Sequence, residues 1–521
     1  MARFWPQDTK FTTRSLKFNE SRCDRCGHHL YISKNRPRKI YTFDGPLLLD
    51  RERAKCSNCE CEKSKKWFVT REEQSLTMLR WKIGWDIFLW MGFRRCKRHW
   101  SVTKIRNELS DSYEVKLSED AIEDYLQLYQ VMVAEKHQDI DCLKEIYNDV
   151  EEVDLTIDGL QPEKGHETLY VVRDLTKGRV LFAQPLISSS NEEVRQLFKR
   201  AKTLCEQMKV KVRCWMTDKQ GAFLYGIKKE FPDAIHRYCQ NHFLRDLATP
   251  MTEIDSKAKV EMRKKVRGLR TLEKEVIEEQ KSEKLNDIEA GVVLDYCTAI
   301  KGILNDGKGG PLSPSGLRMY EGLQEVYDSL GLNLAQEGTT KIDEKLERLQ
   351  DCIERGMHVY DQSKDEIKSL LEIITEVNGL LDFSQGSSKS RQSKFHRRAD
   401  KLSKRKKSNL KKMGKLMLRF EPGLFSGGER TDLPTDNLDL ERWFKTPKGH
   451  QRRLNGRKHV GTRIVYEGET LIPALDAHLN MTRPLKPDEL IKYQNARPPK
   501  SQVEGLRRRR IMSQASSKKK E

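Results

Sequence analysis

The sequence predicts an α/β core interrupted by a large all-α insertion and preceded by a small cysteine-bearing module and a helical module. Three observations carry this. Across 153–238 the apolar period alternates between two and 3.6, which reads as three strands, a helix, a strand, a helix and a strand. Across 244–430 the chain is charged and helical, with a break at 307–314 and no strand pattern. Ahead of both, five of the twelve cysteines crowd into 23–61, a stretch short on helical periodicity.

Taken in order, residues 1–20 read as an irregular arm and 21–70 as a zinc-ribbon-like module. The segment 71–145 is helical. Leu76, Leu79, Ile83, Ile87 and Trp90 recur at helical spacing, a second helix follows Ser101 as N-cap, and a third starts at Ser118 with Glu119 and Asp120 in its first turn. The core opens at 146. Val153, Leu155 and Ile157 alternate with Asp154, Thr156 and Asp158, as a half-buried strand requires. Strands at 168–173 and 180–185, a helix at 191–208, a strand at 210–217, a helix at 221–230 and a strand at 234–238 complete its first part, to 243. The insertion takes 244–430. A last core segment, 431–480, carries a helix capped near Asp436, and 481–521 reads as a Pro-rich, basic, disordered tail.

The 521 residues allow roughly three or four domains and ample buried core. No apolar run is long enough to span a bilayer, and the first residues lack the apolar stretch of a leader, so the chain reads as cytoplasmic with no membrane partner. The net charge is +20 and unevenly spread. Residues 389–419 hold fourteen Lys/Arg against Asp400 alone, and 481–521 hold twelve against four acids, which leaves the remainder near neutral. Two basic patches on a neutral body suit a polyanion, and nucleic acid is the common one.

Cys23-x2-Cys26 and Cys56-x2-Cys59 are two knuckles that together can close a tetrahedral zinc site. Cys61 is an alternative to Cys59, and His28 or His29 an alternative to one thiolate. Four protein ligands leave no open position, so such a zinc is structural. The helices after Ser101 and Ser118, behind a longer apolar helix, have the order of a helix-turn-helix. Lys104 and Arg106 are its candidate phosphate contacts, although Asp120, Glu123 and Asp124 make the supposed recognition helix acidic.

Asp158 and Asp218 end two strands. If those strands are parallel neighbours their carboxylates converge, and converging carboxylates need a cation. Mg²⁺ (or Mn²⁺) takes oxygen ligands and keeps positions open for phosphate. A third acid completes a site for two such ions, and Glu441 is the candidate, on a helix where Asn437 shares its face. Lys445, Lys448, Arg452 and Arg453 follow it and suit a DNA backbone. Each acid also has a plain alternative: Asp154 and Asp174 compete with Asp158, Asp218 can cap a helix, and Glu441 can pair with Lys445.

Thr156-Ile157-Asp158-Gly159, Thr217-Asp218-Lys219-Gln220-Gly221, Phe231-Pro232-Asp233-Ala234, Cys239-Gln240-Asn241-His242 and Thr435-Asp436-Asn437 followed by Glu441 resemble the motifs of the DDE transposases of prokaryotic insertion sequences. The Cys-x2-His resembles the subset that includes Mutator-like elements, in which a long helical insertion separates the second Asp from the Glu. The 222 residues between Asp218 and Glu441 match that. The resemblance covers about residues 20–465. It implies a ribonuclease H-like core and metal-dependent cleavage and strand transfer at the ends of a mobile element. It also implies a zinc-ribbon and helix-turn-helix front end, and a dimer or larger oligomer on double-stranded DNA. Asp158, Asp218 and Glu441 become the catalytic metal ligands, with Cys239, His242 and Asn437 supporting them. The family often has Asn-Asn before the glutamate, where this chain has Asp436-Asn437. The rival expectations are a silent DNA-binding derivative and a ribonuclease H-type nuclease without strand transfer.

Overall fold

The computed structural model describes residues 9–162, 167–335, 342–457 and 459–497. The chain forms two units, Met1–Ala234 with Asn437–Glu521, and Ile235–Asp436. The second begins ahead of the boundary expected at 244, because the strand and the helix start before that point pack within it. No helix among the described residues is long and apolar enough to cross a membrane.

The first unit opens with β1 (Thr12–Leu16), β2 (Leu30–Thr42), β3 (Gly45–Cys56) and β4 (Phe68–Val69). β2 and β3 form an antiparallel hairpin, β1 runs parallel to β3, and β4 pairs with β3. The arm expected to be irregular therefore contributes an edge strand. Leu16 is the cause: it is buried with Ile40 and Leu49 in a small apolar cluster.

Helices follow: α1 (Arg71–Leu76), α2 (Trp85–Arg98), α3 (Val102–Tyr113), α4 (Glu119–Gln138) and α5 (Ile140–Ile146). The helical spacing from Leu76 to Trp90 is interrupted. Arg80 takes a left-handed φ of 68°, Leu79 is 64 % exposed, and Ile83 bridges to Tyr41 instead of continuing a helix. The two expected caps form, with Ser101 accepting from Lys104 N and Ser118 from Ala121 N, each contributing about 1 kcal/mol.

The central sheet of this unit comprises β5 (Glu152–Leu160), β6 (Thr168–Asp174), β7 (Arg179–Leu186) and β8 (Lys211–Thr217), in the order β7-β6-β5-β8. β5 pairs antiparallel with β6 and parallel with β8. The parallel link is made by α6 (Asn191–Met208), and α7 (Gly221–Glu230) follows β8. Leu155, Ile157, Tyr170 and Val172 pack one face of the sheet against Val194, Phe198 and Phe223 of α6 and α7. Leu169 and Val171 point to the other face.

The second unit holds β9 (Ile235–Tyr238), α8 (Gln240–Lys265), α9 (Leu269–Lys281), α10 (Asp287–Asn305), α11 (Ser315–Leu334), α12 (Asp343–Leu381), α13 (Ser388–Ser403) and α14 (Ser408–Leu424). It is helical after its first strand, as the insertion was expected to be. α12 runs along α8, and buried Asp255 of α8 accepts from Gly316 N, Leu317 N and Tyr360 Oη at 2.8, 2.9 and 2.7 Å, which caps α11.

The first unit resumes with α15 (Leu438–Trp443), α16 (Lys445–Asn455), α17 (Gly461–His478) and α18 (Pro487–Leu490). α15 and α17 cover the second face of the sheet through Leu440, Trp443, Ile464 and Val465. The tail expected to be disordered from 481 is packed to 497, because Leu485 and Leu490 are buried with apolar residues of α2 and α4. Residues 498–521, with most of the tail's cations, lie outside the described residues.

Candidate functional site

Two sets of metal-ligating side chains stand out in the first unit. The first is sulfur. The ligand atoms of Cys23, Cys26, Cys56 and Cys61 all lie within 4.8 Å of one another, with Cys26 Sγ 3.4 Å from Cys56 Sγ. Tetrahedral zinc with Zn–S of 2.3 Å sets its sulfurs about 3.8 Å apart, so this donor set fits a structural zinc. The first knuckle closes by Gly27 N→Cys23 O at 2.8 Å, with Gly27 at φ 73°, where a side chain would be strained. The second is a turn, Cys61 N→Asn58 O at 3.1 Å. In such a turn the residue after Asn58 sits at the tip and the fourth residue points back. Cys59 is accordingly exposed and Cys61 buried, so Cys61 takes the position that the Cys-x2-Cys spacing assigned to Cys59. His28 and His29 are exposed and outside the cluster. Hydrogen bonding by the His28 backbone is the main cause that holds the Cys26 thiol down at about 6, while burial first of all pushes Cys56 up to about 12.

The second set is oxygen. The paired residues of parallel β5 and β8 run to Asp154↔Cys214 and Thr156↔Met216. Two residues beyond the last pair stand Asp158, still within β5, and Asp218, the first residue after β8. Both are half-buried. Tyr170 reports on both. Burial raises its phenol most, hydrogen bonds with Ser189 and Gln220 oppose that, and the negative charges of Asp218 and Asp158 each push it further up. Gly159 follows Asp158 for a steric reason, since a Cβ there would lie 2.7 Å from Thr168 Cγ2.

Glu441 arrives from the other direction. Asp158 is opposite Val171 in the β5–β6 register, and Val171 lies on the sheet face that α15 covers. Asn437, fully buried, is the residue before α15, in place of the cap expected near Asp436, and Glu441 N donates to its carbonyl at 3.1 Å. Glu441 is half-buried. Among the described residues the four cysteines close to within 4.8 Å of one another.

The competing acids have other work. Asp154 is held by Arg213 through Nε at 2.9 Å and through Nη2. Asp174 is fully buried and accepts from Tyr147 Oη, Thr176 N and Lys177 N at 2.8 to 2.9 Å, which closes the β6–β7 turn. Sequence reasoning missed Arg173. It donates from Nε to Asp439 of α15 at 2.6 Å and from Nη1 to Asp476 of α17 at 3.0 Å. The signal was present: an arginine directly after an apolar run, Leu169-Tyr170-Val171-Val172, in a buried strand needs partners.

The candidate DNA contacts fall on three surfaces. On α3, Lys104 is exposed and lies 4.4 Å from the Trp100 ring centroid, while Arg106 is half-buried and paired with Glu119 at 2.9 Å. The first turns of α4 expose Glu123 and Asp124. On α16, Lys445, Arg452 and Arg453 are exposed and Lys448 is half-buried. In the second unit the α13–α14 hairpin exposes Lys401, Lys404, Arg405, Lys406, Lys407 and Lys411 around its turn, whereas Arg391 is buried and donates to the Leu380 and Leu381 carbonyls. Cys239 and His242 also belong to the second unit, at the start of α8. Cys239 is fully buried and His242 half-buried. No family model matches the chain, and no curated protein matches it.

Proposed function

We propose that the chain is a DDE-type DNA transposase with a ribonuclease H-like core, in which Asp158, Asp218 and Glu441 hold Mg²⁺ or Mn²⁺ for cleavage and strand transfer on double-stranded DNA. The observation that carries this reading is the parallel β5–β8 register. Asp158 and Asp218 each follow its last pair by two residues, and a glutamate-bearing helix covers the sheet face that Asp158 shares, which supports the reading. Carboxylates in that arrangement suit a hard cation that keeps positions open for phosphate. Asp158, Asp218 and Glu441 would hold such ions, which when bound would supply activation of an attacking oxygen and stabilisation of a leaving one. The chain's own part is to supply and aim the three carboxylates. Cationic surfaces on α16 and the α13–α14 hairpin support the DNA assignment, since cations of this density bind phosphate without reading sequence. The closed cysteine cluster holds the front module together and takes no part in the reaction.

The test uses DNA that flanks the coding sequence, incubated with the full chain and Mg²⁺ or Mn²⁺. Cleavage should leave a 3′-hydroxyl that then joins to a second DNA. Asp158→Asn, Asp218→Asn and Glu441→Gln should each lower cleavage by at least about a thousandfold and leave DNA binding nearly unchanged, because charge on the metal ligands is lost while shape is kept. Parent-level cutting by all three variants would overturn the reading. A parent chain that binds this DNA and cuts it in neither metal would be the silent DNA-binding derivative.

A further inference from the structure

Helix α15 has six residues, too few to be stable alone, so outside contacts must set its rotation and register. Two are apolar: Leu440 and Trp443 pack on the sheet. The third is ionic. Arg173 is buried on β6, opposite Thr156 in the register, and so shares a sheet face with Asp158 two residues along β5. Its guanidinium joins three elements at once, β6 itself, α17 through Asp476 Oδ1 at 3.0 Å, and α15 through Asp439 Oδ2 at 2.6 Å. Its central carbon also lies 5.9 Å from the Trp443 ring centroid.

The two carboxylates on Arg173 differ. Asp476 is deeply buried. It also accepts from Val180 N at 2.9 Å and lies 3.3 Å from His137 Nε2, so that arm belongs to the core. The Asp439 side chain is 56 % exposed, so this arm reaches from the buried guanidinium to the surface. Residues two apart on a helix project about 200° apart at 3.6 residues per turn. Tethering Asp439 to the sheet therefore fixes the angle at which Glu441 leaves the other side. We propose that Arg173, acting through Asp439, is a positioning residue that sets Glu441 against the ends of β5 and β8. The inference rests on the reading of Glu441 as a metal ligand.

The experiment measures Mn²⁺ binding to the full chain on flanking DNA by electron paramagnetic resonance, together with thermal melting and Mn²⁺-dependent cleavage. Asp439→Ala and Asp439→Asn should raise the Mn²⁺ dissociation constant on the order of tenfold, the scale found when a residue that orients a ligand is removed. Excess Mn²⁺ should restore cleavage, and melting should shift by no more than a few degrees because the side chain is mostly exposed. Arg173→Lys keeps a charge for Asp476 and loses the fork, so it should show the same metal deficit. A parent-like Mn²⁺ constant in both Asp439 variants would overturn the inference, whatever the melting temperature does. Glu441→Gln, measured in parallel, separates the two ideas. If it binds Mn²⁺ and cuts like the parent, the ligand assignment falls and the positioning role with it. If it is inactive while the Asp439 variants keep the parent constant, only the positioning role falls.

Discussion

The cysteine cluster and the carboxylate edge both gather metal-ligating side chains in the same unit, and they are built in opposite ways. The cluster is local. All four sulfurs come from 23–61, two turns aim them, and the donor set closes on itself. The edge is assembled from afar. Asp158 and Asp218 come from strands joined by a helical crossover, and Glu441 comes from a helix that the chain reaches only after the whole second unit. A closed set of thiolates can hold an ion and do little else, whereas an edge of separated carboxylates leaves room for a substrate. Under the proposed function the same contrast gives one set to folding and the other to chemistry.

The sharpest break in this comparison would come at the sulfurs. Cys61→Ser should abolish zinc binding and unfold the front module, since structural zinc contributes on the order of 10 kcal/mol. Cys59→Ser should keep about one zinc per chain. Elemental analysis of the two variants decides it, and zinc lost from the Cys59 variant but kept by the Cys61 variant would restore the Cys-x2-Cys assignment.

A gentler break uses acid, because the carboxylate edge depends on C-terminal helices docked through neutral histidines. His450 is buried beside His99 with Nδ1 atoms 2.9 Å apart, and burial first of all holds it down at about 2. His478 accepts from Tyr129 Oη, donates to Ala474 O, and is held at about 4, again chiefly by burial. Both folded values lie below the unfolded value of about 6.5. Between pH 6.5 and 4 the unfolded chain therefore takes up protons that the folded chain cannot, and stability falls with pH. By pH 5 the two together should cost roughly 4 kcal/mol. Urea unfolding at pH 7.5 and pH 5 measures it, and equal midpoints would contradict the docking.

The smallest effect separates geometry from charge alone. The α13–α14 hairpin needs no aimed atoms to hold phosphate. Replacing its six turn cations, Lys401, Lys404, Arg405, Lys406, Lys407 and Lys411, by Gln should flatten the slope of log affinity against log salt by up to about five, near 0.9 for each phosphate no longer neutralised. Cleavage at low salt should survive. An unchanged slope would make the hairpin a merely solvated pair of helices.

Much of this was legible in the sequence, and the failures share a cause. Period-two and period-3.6 patterns found β5 to β8 with α6 and α7, and Ser101 and Ser118 found their helices, because those signals lie within one element. Leu79 misled because helical spacing says nothing about Arg80, whose left-handed backbone ends the run. Cys59 misled because motif spacing ignores which corner of a turn faces inward. The joining of Arg173 to Asp439 and Asp476 was invisible, since no local pattern relates residues so far apart in the chain. Leu485 and Leu490 were lost in a basic, Pro-rich context that hid two core residues.

The central claim is that Asp158, Asp218 and Glu441 surround one metal centre. Fe²⁺ with ascorbate tests it most directly, because an iron ion in a Mg²⁺ site generates radicals that cut the polypeptide beside it. With the full chain on flanking DNA, fragment ends should cluster near 158, 218 and 441 together and disappear when Mg²⁺ is added in excess. Residues 23–61 should stay uncut, because Zn²⁺ holds the four thiolates more tightly than Fe²⁺ and leaves no open position. Cuts beside Asp174 or elsewhere in the sheet, with none at the three carboxylates, would contradict the account.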